Sequence, residues 1–335
     1  MLGARKKSIA CTGNKYSLIE MSDIIQDFLI LTPSGLYCSY GDFYIDPQVP
    51  VQSAVISHAH GDHARPGNQL IYCSAPTQAI MQSRYGKKAG VKFESKSFNQ
   101  DFYIKDVQIL FLSAGHILGS AQILLTYKGI RYLYTGDYKM QADFTCEPIA
   151  YTQADVLITE STFANPAVKH PDPIKEIQKL NETPYNILLG TYGLGKAQRL
   201  NHLINTYCPD KTVLLHYSIL PIHRIYEQFG IDGLLYKPYD RKIMKHNDKG
   251  HVYLVPALTF NSYFRAKNLV KAFASGWEYL QRRNDISLYI SDHVDWEDIL
   301  KYIEKVEPKE IWTLHGDGSI LQEYFKDSIT VKILN

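Results

Sequence analysis

The stretch Ser57-His58-Ala59-His60-Gly61-Asp62-His63 decides how the rest of the chain is read. It follows an apolar run, Ala54–Ile56, and so lies where a strand ends and a turn can aim several side chains into one space. His58 and His60 stand two residues apart, which puts both imidazoles on one side of an extended segment. Asp62 and His63 continue around the turn. Three imidazoles and a carboxylate within six residues suit a borderline divalent metal, zinc or manganese. So tight a turn cannot wrap all four around one ion, and a pair of ions is the expectation.

Two downstream segments offer the remaining ligands. Ser113-Ala114-Gly115-His116 ends one strand pattern, and Thr135-Gly136-Asp137-Tyr138 ends another, where a carboxylate can bridge two ions. Around them the first half is β-rich, with strand runs at Phe28–Thr32, Leu36–Tyr40, Phe43–Ile45, Gln69–Cys73, Val107–Leu112, Gln122–Tyr127, Ile130–Tyr134 and Val156–Thr159. A helix is predicted over Pro76–Tyr85. In the second half, strands at Asn186–Gly190, Val213–His216 and Val252–Val255 alternate with helical patterns at Gly195–Tyr207, Ile222–Phe229 and Ser262–Ala274. That alternation predicts βαβ units and a parallel sheet. Strands at Leu288–Ser291 and Ile311–His315 then flank a helix at Trp296–Val306.

The chain has 335 residues, 36 basic against 34 acidic, and 45% hydrophobic side chains. These values exclude wholesale disorder and give no strongly basic domain, so any nucleic-acid partner must be argued from a site. No apolar run reaches the roughly 18 residues that a membrane-spanning helix needs. The five cysteines are widely spaced and lack a CxxC pair, which disfavours a disulfide framework and points to a reducing, cytoplasmic setting. Arg5, Lys6 and Lys7 are followed by no apolar segment of a secretory signal, and residues 1–20 read as a flexible extension.

The order HxHxDH, then a distant His and a distant Asp, resembles the metallo-β-lactamase superfamily. The resemblance covers Asp46 in Tyr44-Ile45-Asp46-Pro47, then His58, His60, Asp62, His63, His116 and Asp137. It implies that Asp46 braces the histidine turn without touching a metal. Thr159-Glu160-Ser161-Thr162, Ser291-Asp292-His293 and Leu314-His315-Gly316-Asp317-Gly318 resemble the three extra motifs of the β-CASP nucleases of that superfamily. The chain is similar, more closely still, to the bacterial DNA-ligase-associated exonucleases, through Gly41–Pro47, Glu160–Phe163, Gly195–Leu200, Ala274–Trp277 and Ser291–Trp296.

These resemblances imply an α/β fold: a metallo-β-lactamase αββα sandwich at residues 21–165 and 286–335, with a smaller βαβ-type β-CASP cap inserted at 166–285. They imply one ion on His58, His60, His116 and Asp137 and a second on Asp62, His63, Asp137 and His315. His293, supported by Glu160, is implied to protonate the leaving oxygen. The implied activity is metal-dependent exonucleolytic hydrolysis of single-stranded DNA in repair, with a DNA ligase or helicase as associate. A histidine in the third motif is the usual state of RNA-directed members, so an RNA-processing nuclease is the alternative. A non-catalytic nucleic-acid-binding scaffold and a thioester or lactam hydrolase fit the filled ligand positions and the insertion less well.

Gly190-Thr191-Tyr192-Gly193-Leu194-Gly195-Lys196 matches GxxxxGK, but Ala197 stands where a P-loop needs Ser or Thr. The remaining reading is a helix N-terminus that meets a nucleic-acid phosphate through Lys196, with Arg199 one turn on and Arg282 and Arg283 as a further basic pair. The other histidines read as structural. Most of the 25 tyrosines fit core or sheet surface, and Trp277 is a candidate for base stacking.

Overall fold

The computed structural model describes residues 24–244, 250–263, 269–282 and 284–334. The proposed extension at 1–20 and Arg283 lie outside these residues. The first sheet runs β1 (Ile30–Thr32), β2 (Gly35–Cys38), β3 (Phe43–Ile45), β4 (Ser53–Val55), β5 (Asn68–Cys73), then α1 (Ala75–Tyr85) and β6 (Gly90–Ser95). Ser74 caps α1 by accepting the Thr77 amide, and Gly86, at φ +55°, closes it. From β3 to β6 the strands are parallel, so β3 and β4 end on the same side.

The second sheet begins with β7 (Asp101–Ile104), β8 (Val107–Ser113), β9 (Ala121–Tyr127), β10 (Ile130–Tyr134) and β11 (Val156–Ser161). Then come α2 (Pro173–Gln178), β12 (Ile187–Thr191), α3 (Lys196–Tyr207), β13 (Val213–Leu215), α4 (Leu220–Gln228), β14 (Lys237–Pro238), α5 (Arg241–Met244), β15 (Val252–Pro256), α6 (Ala257–Ser262), β16 (Val270–Ala274) and β17 (Ile286–Leu288). The chain returns through α7 (Trp296–Val306), β18 (Glu310–Gly316), α8 (Ser319–Phe325) and β19 (Thr330–Ile333). β18 lies beside β11 and β19 beside β18, both parallel, which completes the second sheet across an insertion of more than a hundred residues.

One apolar cluster joins inward residues of both sheets, among them Phe43, Val55, Phe111, Ile123 and Trp312. The opposite face of the second sheet packs on Ile299, Tyr302 and Ile303 of α7, a helix whose apolar residues recur at helical spacing. Ile80 and Met81 of α1 are buried as well, and Met81 packs against residues of the first sheet.

The third sheet has the order β14-β13-β15-β12-β16-β17 and is parallel throughout. All five residues of β12 are buried, as expected of a strand covered on both faces. Two readings change here. Of the helix expected over Ser262–Ala274, residues 264–268 lie outside the described residues, and its end is strand β16, whose Ala272 and Ala274 are buried beside β12 and β17. Alanine favours helix in isolation, and pairing between two strands overrides it. β17 also belongs to this sheet, so the third sheet extends past residue 285.

Candidate metal centre

His58, His116, Asp137 and Glu160 stand at or just beyond the C-terminal ends of β4, β8, β10 and β11, and Asp46 follows β3. Asp46 sits at φ +44° and is 5% exposed. Its Oδ1 accepts the Ser57 amide at 2.8 Å; its Oδ2 accepts Ser57 Oγ at 2.5 Å, His63 Nδ1 at 2.7 Å and Tyr134 OH at 2.9 Å. One carboxylate thus fixes both ends of the histidine turn.

The partners of the imidazoles settle their tautomers. His60 Nε2 donates to the Leu194 carbonyl at 3.2 Å, and His116 Nδ1 donates to the Asp292 carbonyl at 2.8 Å. Ser57 gives its hydroxyl proton to Asp46 and therefore accepts from His58 Nδ1 at 3.0 Å. The second nitrogens, His58 Nε2, His60 Nδ1 and His116 Nε2, then all carry lone pairs. His60 Nδ1 lies 3.0 Å from each of the other two, and Asp137 Oδ2 is 3.5 Å from His58 Nε2 and 3.7 Å from His116 Nε2. Three lone pairs facing one another repel unless a cation sits between them. Ligands of a tetrahedral zinc stand about 3.3 Å apart, so the donor set fits such an ion in number, chemistry and spacing.

Burial pushes the His58 and His116 imidazoles well below their ordinary value, which keeps them neutral as ligands must be. Burial would also lift the Asp137 carboxyl, but His63 and His293 outweigh it and hold it well below the carboxylate range.

A second set is more open. His63 Nε2 is 3.4 Å from Asp137 Oδ1 and 4.0 Å from Asp62 Oδ2, and its ring centroid is 5.1 Å from that of His315. Asp62 and His315 are both exposed, the latter at φ +52°. On the other side of Asp137, His293 Nδ1 donates to Glu160 at 2.9 and 3.1 Å and lies 4.0 Å from Asp137 Oδ2. Burial lowers the His293 imidazole, but Glu160 and Asp137 more than reverse this and raise it to about 9.

His60, Asp62, His116, Asp137 and His293 line a cleft of about 570 Å³ shared with Lys196 and Trp277 of the third-sheet unit. Lys196 is buried, with Nζ 3.7 Å from Asp292 and 5.2 Å from the Tyr192 ring centroid. Arg199 does not face this cleft. Its guanidinium donates to the Ser291 carbonyl, to Asp292 and to Gln141, and at 2% exposure it cannot reach a phosphate. That is a correction: helical spacing placed it one turn beyond Lys196, but it points into the protein, where Asp292 draws it. Arg282 is exposed and stands outside the cleft lining.

Sequence reasoning missed the ionic network behind the site. Asp292 and Asp143 are buried among Lys139, Lys196 and Arg199; Lys139 Nζ is 2.6 Å from Asp143 and also donates to the His116 carbonyl at 3.2 Å. Its only sequence signal was Asp292 inside the quoted Ser291-Asp292-His293, next to the histidine that drew attention.

No family model matches the chain. It is 31% identical over 298 residues, 84% of its length, to a protein named "Probable DNA ligase" from Opitutus terrae, of which it covers 28%. It is 31% identical over 206 residues, 53% of its length, to an "RNase J-like protein" from Methanocaldococcus jannaschii, covering 49% of that protein. "Endoribonuclease ysh1" from Aspergillus fumigatus is 32% identical over 122 residues, 34% of this chain and 14% of that one. The chain thus spans half or less of the length of these curated relatives. A crystal structure of a protein of unknown function from Enterococcus faecalis shares the fold, with a TM-score of 0.58 at 15% identity over 86% of this chain and 80% of the other.

Proposed function

We propose that this chain, which belongs to the β-CASP branch of the metallo-β-lactamase superfamily, is a metal-dependent phosphodiesterase that trims single-stranded DNA from an end during repair. The observation that carries the proposal is the cluster of lone pairs on His58, His60 and His116, aimed beside Asp137 at a cleft also lined by His293, which Glu160 holds. On this reading the first two sheets, drawn from 21–165 and 286–335, form the αββα sandwich, and 166–285 form the cap, whose sheet takes its last strand, β17, from the returning segment.

His58, His60, His116 and Asp137 would hold one zinc or manganese ion; Asp62, His63, Asp137 and His315 would hold another. Ions bound there supply hydroxide at neutral pH and positive charge beside the phosphate. The chain's own groups do the rest. Asp46 accepts from Nδ1 of His63 and, through Ser57, holds Nδ1 of His58, so that Nε2 is the atom each ring would offer to an ion. Glu160 holds His293 by Nδ1, which leaves Nε2 to protonate the departing sugar oxygen. Lys196, in the cleft wall, pairs with a strand phosphate. The DNA-ligase name of one relative favours DNA and a ligase as associate, and the cysteines among the described residues, all buried and free, fit a reducing cytoplasm.

A second reading, an RNA-processing nuclease with the same chemistry, is favoured by His315 and by the RNase J-like and ysh1 relatives. End-labelled single-stranded DNA and its RNA counterpart, with Mn²⁺ or Zn²⁺ and an Asp137→Ala control, separate the two. Stepwise shortening of DNA, lost in the variant, is expected. Cleavage of RNA alone moves the protein to the second reading, and cleavage of neither refutes both.

A further inference from the structure

The wall of the cleft formed by the third-sheet unit carries aromatic surface that hydrolysis does not require. Of the three tryptophans, Trp312 is enclosed and Trp296 is 8% exposed, but Trp277 is 40% exposed and lines the cleft. The backbone holds it there. Ser275 N donates to the Leu288 carbonyl at 3.1 Å, and Trp277 N donates to Ser275 Oγ at 3.1 Å. Gln281 donates to the Ser275 and Leu288 carbonyls and accepts the Leu288 amide. A Cβ on Gly276 would stand 2.9 Å from Ser291 Cβ and 3.1 Å from His170 Nε2, so a larger residue cannot occupy this turn without a shift.

The indole leans on Phe163, with centroids 4.5 Å apart, and Phe163 lies 6.1 Å from His293. Tyr279, 62% exposed, stands 6.0 Å beyond Trp277. A row of rings therefore runs outward from the Glu160–His293 pair. Leaving an indole this open on a rigid support forgoes burial that would stabilise the fold, which asks for a reason in binding.

Charge supplies little competing affinity. The cleft lining holds Arg84, Lys196 and the His293 imidazolium, already paired with Glu160, against Asp62, Asp137 and Asp292. Arg84 already donates to the Ala59 carbonyl at 2.6 Å, and Lys196 faces Asp292. A strand held mainly by its phosphates needs more free positive charge than this.

We infer that Trp277 is a stacking platform for an unpaired base next to the phosphate being cut, so that the cleft selects single strands by a free π-face and not by sequence. The inference rests on the nuclease reading above. Inside a duplex both faces of each base are covered by neighbours, and at its end a base comes joined to its partner on the opposite strand; an unpaired base offers a free face by itself.

The full chain is titrated in chelator, so that nothing is cleaved, with oligothymidylate and with an abasic oligomer of the same length and charge. Trp277 is the exposed fluorophore and reports directly. Oligothymidylate is expected to quench the emission and the abasic strand to leave it nearly unchanged. Trp277→Ala should weaken oligothymidylate binding roughly five- to a hundredfold, leave the abasic strand unaffected, and be largely rescued in Trp277→Phe. Equal binding of oligothymidylate by wild type and Trp277→Ala, or equal loss for both strands, overturns the stacking role while the nuclease reading stands. Failure of the wild type to bind either strand removes the strand-binding reading and the stacking role with it.

Discussion

Replacing Asp46 by Asn tests the metal centre at its support and leaves every ligand in place. The two side chains have the same shape, and the retained oxygen can still accept the Ser57 amide at 2.8 Å. The new NH₂, however, faces three donors: Ser57 Oγ, His63 Nδ1 and Tyr134 OH. His63 relieves its share of the clash by switching tautomer, so that Nδ1 accepts and Nε2 carries the proton. Nε2 is the atom 3.4 Å from Asp137, and a protonated nitrogen cannot ligate. Ser57 only has to rotate its hydroxyl and can still receive His58 Nδ1. The substitution should therefore weaken the ion on Asp62, His63, Asp137 and His315 about 10- to 100-fold, the usual effect of losing such a support, or about 1.4–2.8 kcal/mol. The ion on His58, His60 and His116 should be held nearly as before. Competition against a chromophoric chelator, with metal counted per chain, measures both sites, and a thermal melt confirms folding. Two ions bound at wild-type affinity in Asp46→Asn would refute the tautomer argument.

Two further outcomes follow from the buried groups. His293→Ala should lower cleavage by roughly 10²- to 10⁴-fold with strand affinity little changed, and Glu160→Gln combined with it should add much less than its own single effect; full additivity in single-turnover rates would show that the pair does not act as a unit. Asp292→Asn should destabilise by about 3–5 kcal/mol in urea unfolding, because Lys139, Lys196 and Arg199 then share only Asp143. Burial alone would raise the Asp292 carboxyl, but Lys196, Lys139 and Arg199 outweigh it and hold it far below the carboxylate range. Its stabilisation is thus complete above the unfolded value near about pH 4 and is lost as pH falls below it, a slope that Asp292→Asn should flatten.

The His58–His63 part of the cluster was legible because its side chains are close in sequence and because imidazoles at a strand end have few other uses at that density. The tautomers were not, since each depends on an acceptor far along the chain: Leu194 for His60, Asp292 for His116. Arg199 was misread for the same reason. Its partners Asp292 and Gln141 lie 93 and 58 residues away, and helical spacing alone makes it look like a surface cation. Lys139 and Asp143 read as an ordinary pair four apart until burial is known. Strand in place of the expected helix at 270–274 has a related cause, for Ala272 and Ala274 take their conformation from the strands on either side.

These long-range acceptors change what the inserted unit is for. Two of the three converging imidazoles are aimed by carbonyls from the third-sheet unit and its exit, so the centre is incomplete without it. The docking is tight: a Cβ on Gly195, at φ +80°, would lie 2.2 Å from Ile117, and Leu118 N donates to Tyr226 OH at 3.3 Å. Asp292 serves both sides at once. Its carbonyl orients His116, while its carboxylate is set among Lys139, Lys196 and Arg199. With Asp143 as the other anion, three cations and two carboxylates interlock at the edge of the cleft that Asp137 also lines. The insertion thus belongs to the site's electrostatics as much as to its shape, and a chain lacking it would need new acceptors for His60 and His116 before it could hold the first ion.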